Sequence, residues 1–167
     1  MKFEKFLKNC GARGTVVTTE SNDQFLKLGA VMLAIPAGVN VLSISTADVP
    51  DYIETIFEDF ANADLIPAEL TGAELPTPDA SPSKIKRIFE NEDGGKIAID
   101  NKTFGIIERS DHAYTFTEKQ DDDFSEGPQD ALVITSGYGA EEQLVGIILD
   151  EQYYFDKLTN KNKEENK

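Results

Sequence analysis

Tryptophan is absent from this chain, and cysteine and histidine occur once each, as Cys10 and His112. One cysteine excludes an intramolecular disulfide and every zinc or iron–sulfur site built from several thiolates. One histidine leaves little material for acid–base or metal chemistry. Without tryptophan, the aromatic platforms that usually surround glycosidase carboxylates are thin. No apolar run approaches the roughly 20 residues of a membrane span, and even residues 28–35 stop at Pro36. The opening residues 1–8 alternate charged and apolar side chains, unlike the unbroken apolar stretch of a signal peptide. Together these absences lead to the expectation of a soluble, cytoplasmic protein in a reducing compartment, with no membrane partner and no cofactor.

Positive charge is also scarce where it would matter for nucleic acid. Of the 31 acidic residues, 26 fall within residues 48–156, a stretch that holds only 7 of the 16 basic ones. The two ends are mildly basic. An acidic body repels phosphate and anionic lipid and attracts basic protein surfaces or cations. The expected partner is therefore a basic protein surface, with no direct contact to nucleic acid. Symmetric self-association is common among domains of this size, although no segment here specifies a homo-oligomer.

With 167 residues and 40% apolar side chains, the chain suffices for one core. Residues 1–156 are read as a single α+β domain and residues 157–167, rich in Lys, Asn and Glu, as a disordered polar tail. Phe3, Phe6, Leu7 and Cys10 lie at i, i+3, i+4 and i+7, which predicts a short amphipathic helix ended by Gly11 and Gly14. A second helix is predicted from Asp48, with Val49, Ile53, Ile56, Phe57 and Phe60 on one face.

Strands are predicted at residues 15–19, 25–35 and 41–45, with a turn at Ser21-Asn22-Asp23. Residues 65–82 contain four prolines, which predicts an extended crossing segment and argues against a central strand. Residues 84–89, which also fit a helical face, 96–100, 104–108 and 113–118 read as short strands separated by turn residues. Residues 131–135 and 144–149 complete the pattern. The fold class that follows is a mostly antiparallel β-sheet, a meander, with two helices. Its expected core includes Phe3, Phe6, Val31, Leu33, Val41, Ile53, Phe57, Ile97, Ile99, Ile106, Val133 and Ile147.

Each candidate for chemistry has a simpler account. A Cys10/His112 pair with Asp111 needs an exposed, activated thiol beside a loop about 100 residues away. A core cysteine and a histidine in a surface turn are the expectation instead. The acidic run from Asp121 to Glu126 suggests calcium, but an EF-hand starting at Asp121 requires Gly at 126 and Glu at 132, where this chain has Glu126 and Leu132. Gly137-Tyr138-Gly139 follows a predicted strand, yet Glu141 and Glu142 stand where a phosphate would sit. A tight turn with positive φ at glycine is expected there. Pairs such as Glu90 and Glu92 are unavoidable in so acidic a chain, and neither catalytic nor metal-binding residues are assigned.

Asp51, Glu54 and Glu58 are the candidate contact residues, at i, i+3 and i+7 on the polar face of the second predicted helix. The function expected from these features is non-catalytic: an acidic protein acting through protein–protein contact. The alternative is an inhibitor that imitates nucleic acid and occupies a basic groove, although Lys84, Lys86, Arg87 and Lys96 interrupt the acidic body. The layout combines a Lys/Phe-rich opening at residues 1–8, the segment 68–76 within an acidic middle, and a Lys/Asn tail. In this it resembles small proteins of uncertain role encoded by phages and prophages of Gram-positive bacteria. The resemblance implies a structural or assembly accessory protein, virion-associated or host-modulating, and transfers no site residues.

Overall fold

The structure is a computed structural model, and it describes residues 1–20, 22–41, 44–47, 65–75, 85–117 and 130–150. The amphipathic spacing at the start forms helix α1 (Phe3–Cys10), with Glu4 in its first turn and Lys8 in its last, both suited to the helix dipole. Gly11 ends it by donating its N–H to the Leu7 carbonyl. Strands β1 (Thr15–Thr18), β2 (Gln24–Leu28), β3 (Val31–Ala34), β4 (Ser45–Ala47), β5 (Ile66–Leu75), β6 (Lys86–Asn91) and β7 (Lys96–Asp100) follow. After helix α2 (Asn101–Phe104) come β8 (His112–Thr117), β9 (Asp130–Ser136) and β10 (Gln143–Leu149). The ten strands form one sheet in the order β4-β1-β2-β3-β10-β9-β8-β5-β6-β7. The sheet is mostly antiparallel, as expected, but the pairing of β1 with β4 is parallel and makes it mixed.

Four local expectations are corrected. Residues 25–35 are two strands, β2 and β3, because Gly29 takes φ +59° and turns the chain into a hairpin. The strand expected at 41–45 instead occupies Ser45–Ala47, where it pairs beside β1. Residues 104–108 are not a strand. Asp100 accepts from the Thr103 backbone N–H at 2.5 Å and caps α2, which diverts the chain after β7. Residues 65–75 are extended, but β5 is an interior strand despite Pro67. It pairs with β8 only at Ile66 and Pro67 and with β6 from Ala68 onward, so the proline sits where one partner replaces the other. A bulge between Leu70 and Glu74 bends the remainder of that strand.

Alternation along the strands gives the sheet two apolar faces. The first carries Leu26, Leu33, Leu132, Ile134 and Ile148, and α1 packs there through Phe3, Phe6 and Cys10. Strands β6 and β7 join the same cluster through Phe89, Ile97 and Ile99, and the Ala98 N–H reaches Asp150 Oδ1 at 3.4 Å, so this end of the sheet curls over the first face. The second face carries Val17, Phe25, Met32, Phe116, Val133 and Ile147, and no residue of α1 or α2 belongs to it. Each fully buried side chain of this size contributes about 1.5–3 kcal/mol. Of the expected core, the eight residues Phe3, Phe6, Val31, Leu33, Ile97, Ile99, Ile106 and Val133, together with Ile147, are buried. Val41 is only partly so. Ile53 and Phe57, the second predicted helix, and the tail lie outside the described residues. Among the described residues, no helix is long and apolar enough to cross a membrane.

Candidate functional site

The face of β8 that begins at Phe116 and Tyr114 ends at His112, and its neighbours on β9 run from Ala131 through Val133 to Thr135. The same face thus passes from sealed hydrocarbon to polar groups within four residues. The link between β9 and β10 adds the rest of the site. Gly137 takes φ +98°, and a Cβ there would stand 2.5 Å from the Glu141 carbonyl oxygen, so only glycine permits so tight a return. A 3₁₀ turn at Gly139–Glu141 then delivers Glu142 beside β9. This is the tight turn with positive φ that the glycines predicted.

Glu142 Oε1 accepts hydrogen bonds from the Tyr114 hydroxyl at 2.7 Å and from the Thr135 hydroxyl. Chiefly the Thr135 bond, then the Tyr114 bond, holds the Glu142 carboxyl below its usual pKa, against a smaller opposing effect of burial. The same contact raises the Tyr114 phenol, and burial adds to it. His112 adjoins this group and is half-buried, with its Nε2 buried and without a hydrogen-bond partner among the described residues. It is therefore the first residue of a strand and not a surface-turn histidine, because its pairing with Thr135 draws the ring against the sheet. Its ring meets Tyr138 edge-on, with centroids 4.9 Å apart at 77°. Tyr138 itself is 76% exposed.

A cleft of about 560 Å³ opens beside His112 and Tyr114. Ala68, Phe89, Phe104, Ile107 and Ala113 make its apolar lining, while Glu69, Leu70, Glu108 and Arg109 stand around it. Leu70, which also lines the cleft, is 44% exposed. The wall at residues 105–111 is held by the start of the chain. The Lys2 N–H donates to the Ile106 carbonyl at 2.7 Å, the Lys5 Nζ donates to the Gly105 carbonyl at 3.0 Å, and the Met1 ammonium lies 3.0 Å from Asp111 Oδ2. Met1 in turn packs against Gly146 of β10, where a Cβ would stand 2.5 Å from its sulfur. The opposite wall is braced by Arg87, which bonds Asn101 at 3.0 Å, pairs with Glu74 and lies 5.7 Å from the Phe104 ring centre.

Cys10 is buried in the first-face cluster, as the helical spacing implied, and burial pushes its thiol pKa up. Glu90 is engaged with Lys96 at 3.5 Å. Among the described residues no group of three histidine, cysteine, aspartate or glutamate side chains is arranged to hold a metal ion. Asp51, Glu54, Glu58 and the acidic run from Asp121 lie outside the described residues. Glu142 stood out in the sequence only as a charge beside the glycine turn, and its grouping with Tyr114 and Thr135 was hidden because the three come from separated segments that only the strand register unites. The alternation of His112, Tyr114 and Phe116 was their sole local signal. No protein-family model, curated protein or solved structure matches this chain. Its function has to be read from its own side chains.

Proposed function

We propose that the protein is non-catalytic and acts through protein–protein contact with a basic partner surface. The observation that carries this reading is the cleft between β5, β8 and residues 105–111: an apolar recess with exposed Leu70 at its mouth and Glu69 and Glu108 beside it. Such a recess suits an apolar side chain from the partner, while Glu69 and Glu108, which outnumber Arg109 there, favour lysine or arginine next to it in sequence. The net charge of −15 adds long-range attraction that speeds encounter and weakens with salt. Under the phage-related resemblance, the partner is a component of a larger assembly.

The test is capture from native cell extract with the wild-type protein and with Leu70→Glu, eluted by a salt gradient and identified by mass spectrometry. A salt-released partner that the wild type retains and L70E loses, with unchanged thermal stability of the variant, supports the cleft as the contact. Equal retention by both proteins removes the cleft from this role. Recovery of a nucleic-acid-binding protein that DNA or RNA displaces points to nucleic-acid imitation instead.

A further inference from the structure

We infer that Glu142 and Tyr138 form a recognition site for an arginine side chain of the partner. This inference rests on the reading of the protein as a binder of basic surfaces, and it names where and how one cation is read.

Three features of the β8–β10 end support it. First, the carboxylate is oriented before any ligand arrives: both hydroxyls, from Tyr114 on β8 and Thr135 on β9, converge on the same oxygen, Oε1. A group fixed in this way loses little freedom on binding. Second, no lysine or arginine among the described residues pairs with Glu142, whereas Glu74 and Glu90 each have such a partner. The two hydroxyls supply dipoles and His112 a smaller electrostatic contribution, so among the described residues no lysine or arginine neutralises the anion. Third, the turn that delivers Glu142 also carries Tyr138, the most exposed of the large hydrophobic side chains among the described residues. Its ring rests edge-on against His112, which adjoins Thr135 across the strand pair, so one small area holds both the aromatic ring and the anion.

Guanidinium suits that pair better than ammonium. Its planar fork donates to a carboxylate while its flat face stacks on an aromatic ring, and its weaker hydration makes removal from water less costly. The His112 ring supports Tyr138 edge-on from beneath, and its own Nε2 is turned away from solvent. His112 and Tyr114 also border the cleft, although its apolar lining of Ala68, Phe89, Phe104, Ile107 and Ala113 belongs to or packs against the first-face cluster.

The experiment uses the full chain and three short blocked peptides, Gly-Arg-Gly, Gly-Lys-Gly and Gly-citrulline-Gly, followed by heteronuclear NMR. The arginine peptide is expected to give saturable shifts at Tyr138, Glu142 and His112. The lysine peptide should bind at least about threefold more weakly at those positions, and the neutral citrulline peptide should leave them unmoved. Glu142→Gln should reduce the arginine response at least about threefold, and Thr135→Ser, which keeps the hydroxyl, should preserve it. Equal responses to arginine and lysine, or shifts spread over unrelated carboxylates, would show general attraction to an acidic surface and overturn the inference. Because no natural partner enters this titration, its failure leaves the capture experiment unaffected, and failure of that capture leaves the titration interpretable.

Discussion

The two ends of the β8–β9 pair share one register and one face, yet they serve opposite purposes. At one end Phe116 pairs with Ala131, both buried, and at the other His112 pairs with Thr135 beneath an exposed tyrosine. The pairing runs from one end to the other without a register shift. The difference is what the second-face side chains meet: hydrocarbon from Leu149 opposite Ala131 and from Ile147 opposite Val133 along the sealed stretch, and the glycine-bounded turn carrying Tyr138 and Glu142 at the open end. A sheet can therefore support a polar constellation without loss of order, provided that the polar groups stay at the strand ends and satisfy one another.

Substitutions at the two ends should separate stability from recognition. The largest effect is expected in the sealed stretch, at Ile147 opposite Val133. Ile147→Ala removes a completely buried side chain and should cost about 2–5 kcal/mol in chemical denaturation. A loss under about 1 kcal/mol would mean that this face is less tightly packed than its burial implies.

Thr135→Val, at the open end, removes a hydroxyl donor while keeping the volume, and should cost about 1 kcal/mol. It should also raise the Glu142 carboxyl pKa in an NMR titration, because the Thr135 bond is the main cause of its depression. An unmoved carboxyl would detach Thr135 from the site.

The third effect is one of pH. A carboxyl whose folded pKa lies below its unfolded value of about 4.3 contributes stability that is complete above that unfolded value. The contribution fades as pH falls through the folded pKa. Glu142→Gln should therefore flatten the acid limb of stability against pH, with little change in slope near neutrality. Tyr114 is raised and works in the opposite direction: its contribution is whole below about pH 10 and is lost as pH rises through its folded value. An acid limb identical in wild type and E142Q would contradict the hydrogen bonding described here.

Smallest of all should be the change in stability for Tyr138→Ala, within about 0.5 kcal/mol, because the side chain is mostly in solvent. Its recognition effect should be out of proportion to that figure, with most of the arginine-peptide response lost. A stable variant with undiminished response would leave Tyr138 as an ordinary surface residue.

Much of the local structure was legible from residue order. Helical spacing located α1, β-branched runs located β1, β9 and β10, and Gly137-Tyr138-Gly139 marked its turn. The errors arose where one residue's effect depended on distant ones. Four prolines argued against an interior strand, yet Pro67 is tolerated because β5 exchanges partners at that point. The apolar run at 104–108 looked like a strand until the Asp100 cap is considered, a signal that was present in the sequence. Glu142 entered sequence reasoning only as a charge unfavourable to phosphate, since nothing near it in the chain announces Tyr114, 28 positions earlier.

By itself, the sequence determined the charge of the surface, the apolar periodicity of each element and the glycine-bounded turn, because these depend on side-chain chemistry within a few residues. Tertiary structure alone decided that β4 lies parallel to β1, that β6 and β7 curl over the face covered by α1, and that Glu142 meets two hydroxyls from neighbouring strands. Those outcomes depend on strand order and register. They are set by the collective burial of two apolar faces, a quantity that no short segment of the chain contains.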